Sequence, residues 1–121
     1  MSFIYYNINP MGKTESDCVC RAISLATNSD YGFIYYLLYT NAGENECDML
    51  VKGCYRQILE EHFDLKPRRA YGKTVGEIGS RYRDDSVIIR IRGHLTCTVR
   101  GNVWDLWDCS DEIADEYWVV T

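Results

Sequence analysis

The feature that most constrains this chain is a pair of alternating runs near its end. Gly93-His94-Leu95-Thr96-Cys97-Thr98-Val99 is followed, after a short break, by Val103-Trp104-Asp105-Leu106-Trp107-Asp108. Successive side chains of a strand point to opposite faces, so each run has two different sides. A two-residue turn at Arg100-Gly101 or Gly101-Asn102 puts Leu95, Cys97, Val99, Trp104 and Leu106 on one face. That face is wholly apolar and has to be covered, which favours this register over a shifted one. His94, Thr96 and Thr98 then share the other face with Val103, Asp105 and Trp107.

The cover is legible upstream. Val19, Ala22, Ile23 and Ala26 recur at the spacing of one helical face, which predicts a helix over Cys18–Thr27 with Ser16 or Asp17 as its cap. Asp30 opens a second helix with Tyr31, Ile34, Leu37 and Leu38 on one side. Tyr35, Tyr36 and Tyr39 widen that side, and stripes of this kind usually pack into cores. Residues 41–46 read as a turn, and a third helix is expected over residues 47–62. Cys47 and Cys54 would then lie two turns apart on one axis, too far for a disulfide.

Lys66, Arg68 and Arg69 fall in an extended connector and read as a solvated loop, Thr74 caps a short helix, and residues 2–8 form an edge strand. Ser86–Ile91 and residues 116–120 complete the strands. Helices come first and antiparallel strands last, an α+β order with the helices on one side of a small C-terminal sheet. At 121 residues this is a single domain, residues 1–121.

Charge and cysteine content narrow the function classes. A net charge of −5 argues against a nucleic-acid partner, which needs basic surface to displace counterions. No apolar run is long enough to span a membrane, and the first residues lack the basic start and apolar stretch of a signal peptide. The expectation is a cytoplasmic protein whose six cysteines are reduced thiols. The only close cysteine pair is Cys18-Val19-Cys20, and His62 and His94 stand alone, so neither metal nor other cofactor is expected.

Cys18 carries the chemistry. It falls in the first turn of its helix, where unpaired N–H groups and the positive dipole end favour a thiolate and hold a developing oxyanion. Cys20 competes for the role, but on a helix it points about 200° away from Cys18. Attack on an acyl carbon also needs a base and a group that orients the base. His94 is the histidine on a strand, whereas His62 ends a predicted helix. The orienting carboxylate is Asp105 if the hairpin turn has two residues and Asp108 if it has three. Besides the Cys18 N–H, an oxyanion donor is sought in Asn9, Lys13 or Thr14.

These residues also carry a family likeness. Asn9-Pro10-Met11-Gly12-Lys13-Thr14 leading to Asp17-Cys18-Val19, then Arg21-Ala22-Ile23, Gly93-His94-Leu95 and Trp104 through Ser110, closed by Tyr117-Trp118, resemble small papain-like cysteine-peptidase-like proteins common in bacteriophages and mobile elements. The resemblance implies a papain-like fold and a Cys18, His94 and aspartate site. It does not imply a substrate; the function expected of that site is a thiol hydrolase, a cysteine peptidase or amidase with a peptide or protein substrate, and acyl transfer of the transglutaminase kind uses the same groups. The other reading is a non-catalytic phage-type protein that binds or inhibits a host or defence protein. Cys20 departs from the family pattern, which has an aliphatic residue there, and the glutamine that papain-type enzymes place before the cysteine is missing.

Overall fold

Arg100 and Gly101 both take left-handed backbone angles (φ 52° and 81°), the conformation a two-residue hairpin turn requires. The turn pairs Val99 with Asn102 and Thr98 with Val103. In the computed structural model, which describes residues 2–12 and 17–120, this hairpin is the middle of a six-stranded sheet. Its strands are β1 (Phe3–Tyr5), β2 (Arg68–Arg69), β3 (Ser86–Ile91), β4 (His94–Val99), β5 (Asn102–Asp105) and β6 (Ala114–Val120), in the spatial order β1-β5-β4-β3-β6-β2.

The sheet is mixed, not antiparallel throughout, because β1 runs parallel to β5, with Phe3 beside Val103 and Tyr5 beside Asp105. After β5 the chain turns into a loop instead of returning as a neighbouring strand, and the edge it leaves open is filled by β1. The edge strand expected over residues 2–8 is thus present, and its parallel pairing is the difference; the unforeseen strand is β2, in the stretch read as a solvated loop, where Arg68 and Arg69 pair with Tyr117 and Glu116 of β6.

Four helices surround the sheet: α1 (Cys18–Thr27), α2 (Tyr31–Asn45), α3 (Lys52–Gln57, continued by a π-helical turn at Ile58–His62) and α4 (Val75–Arg81). Val19, Cys20 and Ile23 of α1 pack on Leu95, Cys97, Ile88 and Trp118, with α2 and α3 layered behind. The helices are not all on this side. Val75 and Ile78 of α4 pack on Val87, Ile89, Ile91 and Val103 from the opposite face. The reason lies in β3, whose side chains are apolar on both faces, so both must be covered. Thr74 and Glu77 close a reciprocal capping box on α4. Gly79 brings α4 close, since a Cβ there would stand 2.9 Å from Thr98 Cγ2.

Three boundaries differ from the sequence expectation. Helix α2 runs on through residues 41–45 to a left-handed cap at Glu46. Cys47 therefore lies beyond α2 and before α3, not on a helix with Cys54, and the intervening chain doubles back. That return brings the two Cα atoms to 5.7 Å, and Cys47 and Cys54 form a disulfide, where reduced thiols were expected. The third difference is the tyrosine stripe: Tyr35, Tyr36 and Tyr39 are exposed. Only Ile34 and Leu38 of α2 are buried, while the rings of Tyr31, Tyr35 and Tyr39 stack on one another at 6.3 Å spacing.

Candidate active site

Helix α1 starts at Cys18, and its first turn abuts the beginning of β4. Cys18 is half-buried and lines the same cleft as His94 and Leu95, close enough for the imidazole and the Leu95 N–H to act on its sulfur. His94 Nε2 lies 2.7 Å from Asp105 Oδ2. With Nε2 so engaged, Nδ1 is the ring nitrogen left to face the sulfur. Asp105 is buried, and its Oδ1 accepts the Leu106 N–H at 2.7 Å. Its backbone is held too, because the Asp105 carbonyl accepts the Tyr6 N–H at 3.1 Å beside β1.

Asp108 stands apart. Its Oδ1 accepts the backbone N–H of Ser110 at 3.0 Å and the hydroxyl of the same residue, as in a turn, and it makes no contact with His94. Cys20 faces the core, where it lies against Ser24 and the carbonyl of Tyr31. The hairpin register thus brings Cys18, His94 and Asp105 together and leaves Cys20 and Asp108 outside.

Electrostatics separates the thiols in the same way. Burial disfavours a Cys18 thiolate, but the hydrogen bonds from His94 and the Leu95 N–H and the imidazolium charge outweigh it, and the thiol is held below its ordinary range. Burial likewise disfavours the charged His94, yet its bonds to Asp105 and Cys18 and their charges push it up to about 9. Asp105 is buried, which would raise it, but the His94 bond and the Thr96 hydroxyl hold it below the usual carboxylate range. Cys20 has no such partner, and burial pushes it up to about 11.

Arg21 was not among the candidate site residues, although it anchors the site. Its guanidinium is buried, paired with Asp17 and 3.8 Å from Asp105 Oδ1. Asp17 does not cap α1 through its side chain. Its carboxylate instead takes Arg21, the Tyr31 hydroxyl at 2.7 Å and the Asn9 amide at 3.0 Å. The signal was present in the sequence: Asp17 and Arg21 stand four apart on one helix, the spacing of an ion pair. Of the oxyanion donors sought upstream, Asn9 is committed to this network, and Lys13 and Thr14 lie outside the described residues, as does Ser16 as a cap.

A cleft of about 530 Å³ opens beside Cys18 and His94, between Leu50 and Val51 on one wall and Trp107 on the other. Its size suits a small-molecule site or a short stretch of peptide. The Trp107 ring leans on the imidazole at 5.3 Å between centroids. Cys109 lies behind the site, and donor atoms of His94, Asp105 and Cys109 come within 4.8 Å of one another. This trio does not fit a cation as it stands. His94 and Asp105 already hold each other, and burial pushes the Cys109 thiol up to about 11, so it stays protonated.

Among the described residues, no helix is long and apolar enough to cross a membrane. Comparison of the chain with protein-family models, with curated proteins and with solved structures finds no match in any of the three.

Proposed function

We propose that the protein is a thiol hydrolase of papain-like arrangement, a cysteine peptidase or amidase in which Cys18 attacks, His94 moves the proton and Asp105 orients the imidazole. The observation that carries this reading is the His94–Asp105 hydrogen bond at 2.7 Å with Cys18, at the start of α1, beside His94 in one cleft. The Cys18 sulfur adds to the carbonyl carbon of an amide, and the negative oxygen is met by the N–H groups of the first turn of α1. His94 gives its proton to the departing amine, and the C–N bond breaks to leave a thioester on Cys18. Water then attacks the thioester carbon, His94 takes its proton, and the acid leaves as the thiol returns.

The cleft walls Leu50, Val51 and Trp107 favour a peptide with an apolar side chain near the bond that is cut. In the cytoplasmic setting that the sequence suggests, the Cys47–Cys54 disulfide would be open to reduction, since disulfides persist mainly in oxidising compartments.

Iodoacetamide labelling across pH, with sites assigned by mass spectrometry, tests the reading. Cys18 is expected to react fastest and well below pH 8, and to lose that advantage in His94→Ala. Equal, slow labelling of all the free cysteines overturns it. One observation favours a second reading: the Asn9 amide is spent on Asp17 and Tyr31, so the upstream side-chain oxyanion donor is missing among the described residues. A fold kept for binding, as in an inhibitor of a host protein, needs no such donor. Binding that survives Cys18→Ala, with no hydrolysis by the wild type, selects that reading.

A further inference from the structure

On the face of the sheet that α4 covers lies a second concavity of about 410 Å³, formed by β2, the turn after it, α4 and Tyr117 of β6. Its lining includes Arg68, Arg69, Lys73 and Arg81 and no carboxylate, but Arg69, opposite Glu116 on the strand pair, turns its side chain to the other face of the sheet. This is a concentration of positive charge in a chain whose net charge is −5. Among the described residues none of the four forms an ion pair. The carboxylates on the adjoining strand are already engaged, Asp115 with Arg90 and Glu116 with Lys52.

Two of the guanidiniums are positioned by aromatic rings. Arg68 and Arg81 lie 5.8 Å and 5.6 Å from the centre of the Tyr82 ring. Arg68 also donates to the Tyr82 hydroxyl at 3.0 Å, which in turn is bonded to Tyr117 at 3.3 Å. That hydroxyl is held below its ordinary range, first by the Tyr117 hydrogen bond and then by Arg68 and Arg81, a local sign of positive potential. Tyr71 stands at the rim with its side chain 84% exposed. Its left-handed backbone (φ 51°), with that of Gly72 (φ 80°), forms the tight turn closed by the Lys73 N–H on the Ala70 carbonyl at 3.1 Å.

We infer that this concavity binds a nucleoside phosphate, its phosphoryl groups on Arg68, Lys73 and Arg81 and its base on Tyr71. Planar guanidiniums match phosphoryl oxygens two at a time, and several cations converging on one hollow exceed what a single carboxylate would neutralise. The hollow has the volume of a small-ligand site. The acidic balance of the rest of the chain disfavours a polymer that would have to extend beyond it.

Calorimetric titration of the intact protein with pyrophosphate, with ADP and with a short single-stranded oligonucleotide tests the assignment. Pyrophosphate and ADP are expected to bind, with affinity that falls as salt rises. The double variant Lys73→Gln/Arg81→Gln, at two exposed residues with no ion pair to lose, is expected to weaken both by about tenfold or more. Tyr71→Ala should weaken ADP and leave pyrophosphate unchanged, and Arg92→Gln, away from the hollow, should change neither. Absence of pyrophosphate binding at millimolar concentration, or equal binding by all variants, makes the cluster a solvated face and overturns the inference. An unchanged ADP affinity in Tyr71→Ala removes the base from it, and tighter binding of the oligonucleotide than of ADP overturns the choice of a small ligand. Thermal unfolding of each variant confirms that it is folded.

Discussion

Cys18 and Cys20 lie two residues apart on one helix and have nothing in common chemically, whereas Cys47 and Cys54 lie seven apart and share a bond. The contrast shows that separation along the chain says little until the path between the residues is known. In the first pair a regular helix turns one thiol toward His94 and the other into the core. In the second the path is irregular, and the return of the chain after α2 brings the sulfurs together. The first region is held by charge and hydrogen bonds, the second by a covalent link and apolar packing, so the two should respond differently to mutation, reductant and pH.

The sharpest way to break the first region is Arg21→Met. It leaves Asp17 and Asp105 buried without their cation, and should cost about 3–5 kcal/mol in urea unfolding. A loss below about 1 kcal/mol would mean that Asp105 is held by His94 and Leu106 alone. Cys47→Ser/Cys54→Ser should cost about 2.5 kcal/mol, the chain entropy released when so short a loop is opened. Reductant should reproduce that loss in the wild type and do nothing further to the variant.

The pH dependence comes next. The folded state raises His94 from 6.5 to about 9, so the stability contributed by the imidazolium is complete below pH about 6.5 and is lost as pH rises through about 9. Asp105 is lowered, so its contribution is present above the ordinary carboxylate range and fails in acid. Wild type minus His94→Ala should therefore shrink by about 2 kcal/mol across the alkaline window in urea unfolding, after allowance for partial exposure. A flat difference would sink the ion pair. The smallest effect belongs to Asp108→Asn, within about 0.5 kcal/mol in stability and without influence on Cys18 alkylation, because this carboxylate only closes a turn at Ser110.

What was legible in the sequence follows the same division. The hairpin register could be read because one face of β4 and β5 is wholly apolar and Gly101 favours a tight turn, and that register alone places Asp105 beside His94 and leaves Asp108 out. The Thr74 cap of α4 could be read because both partners of the capping box are local. The edge strand β1 could be read from its composition but its partner could not, and β2 could not be read at all. Both β1 and β2 exist by pairing with distant strands, and nothing in Phe3–Tyr5 or Arg68–Arg69 says which neighbour they will find. Residues 41–45 look like a turn by composition, but the helix carries through them because α3 packs against it. Arg21 was overlooked because a charge among apolar helix residues reads as solvent-facing until a buried carboxylate is found for it.

The parallel pairing of β1 with β5 has a consequence in time. Phe3 is made well before its partner Val103. Cys18 likewise precedes His94 and Asp105 by most of the chain, an interval on the order of ten seconds on a ribosome. Throughout that interval Cys18 lacks both partners and is an ordinary thiol. The lowering of its pKa by His94 and Leu95 sets in only when β4 and β5 are made and β1 docks on β5, so the order of the chain delays the thiolate until the sheet is in place.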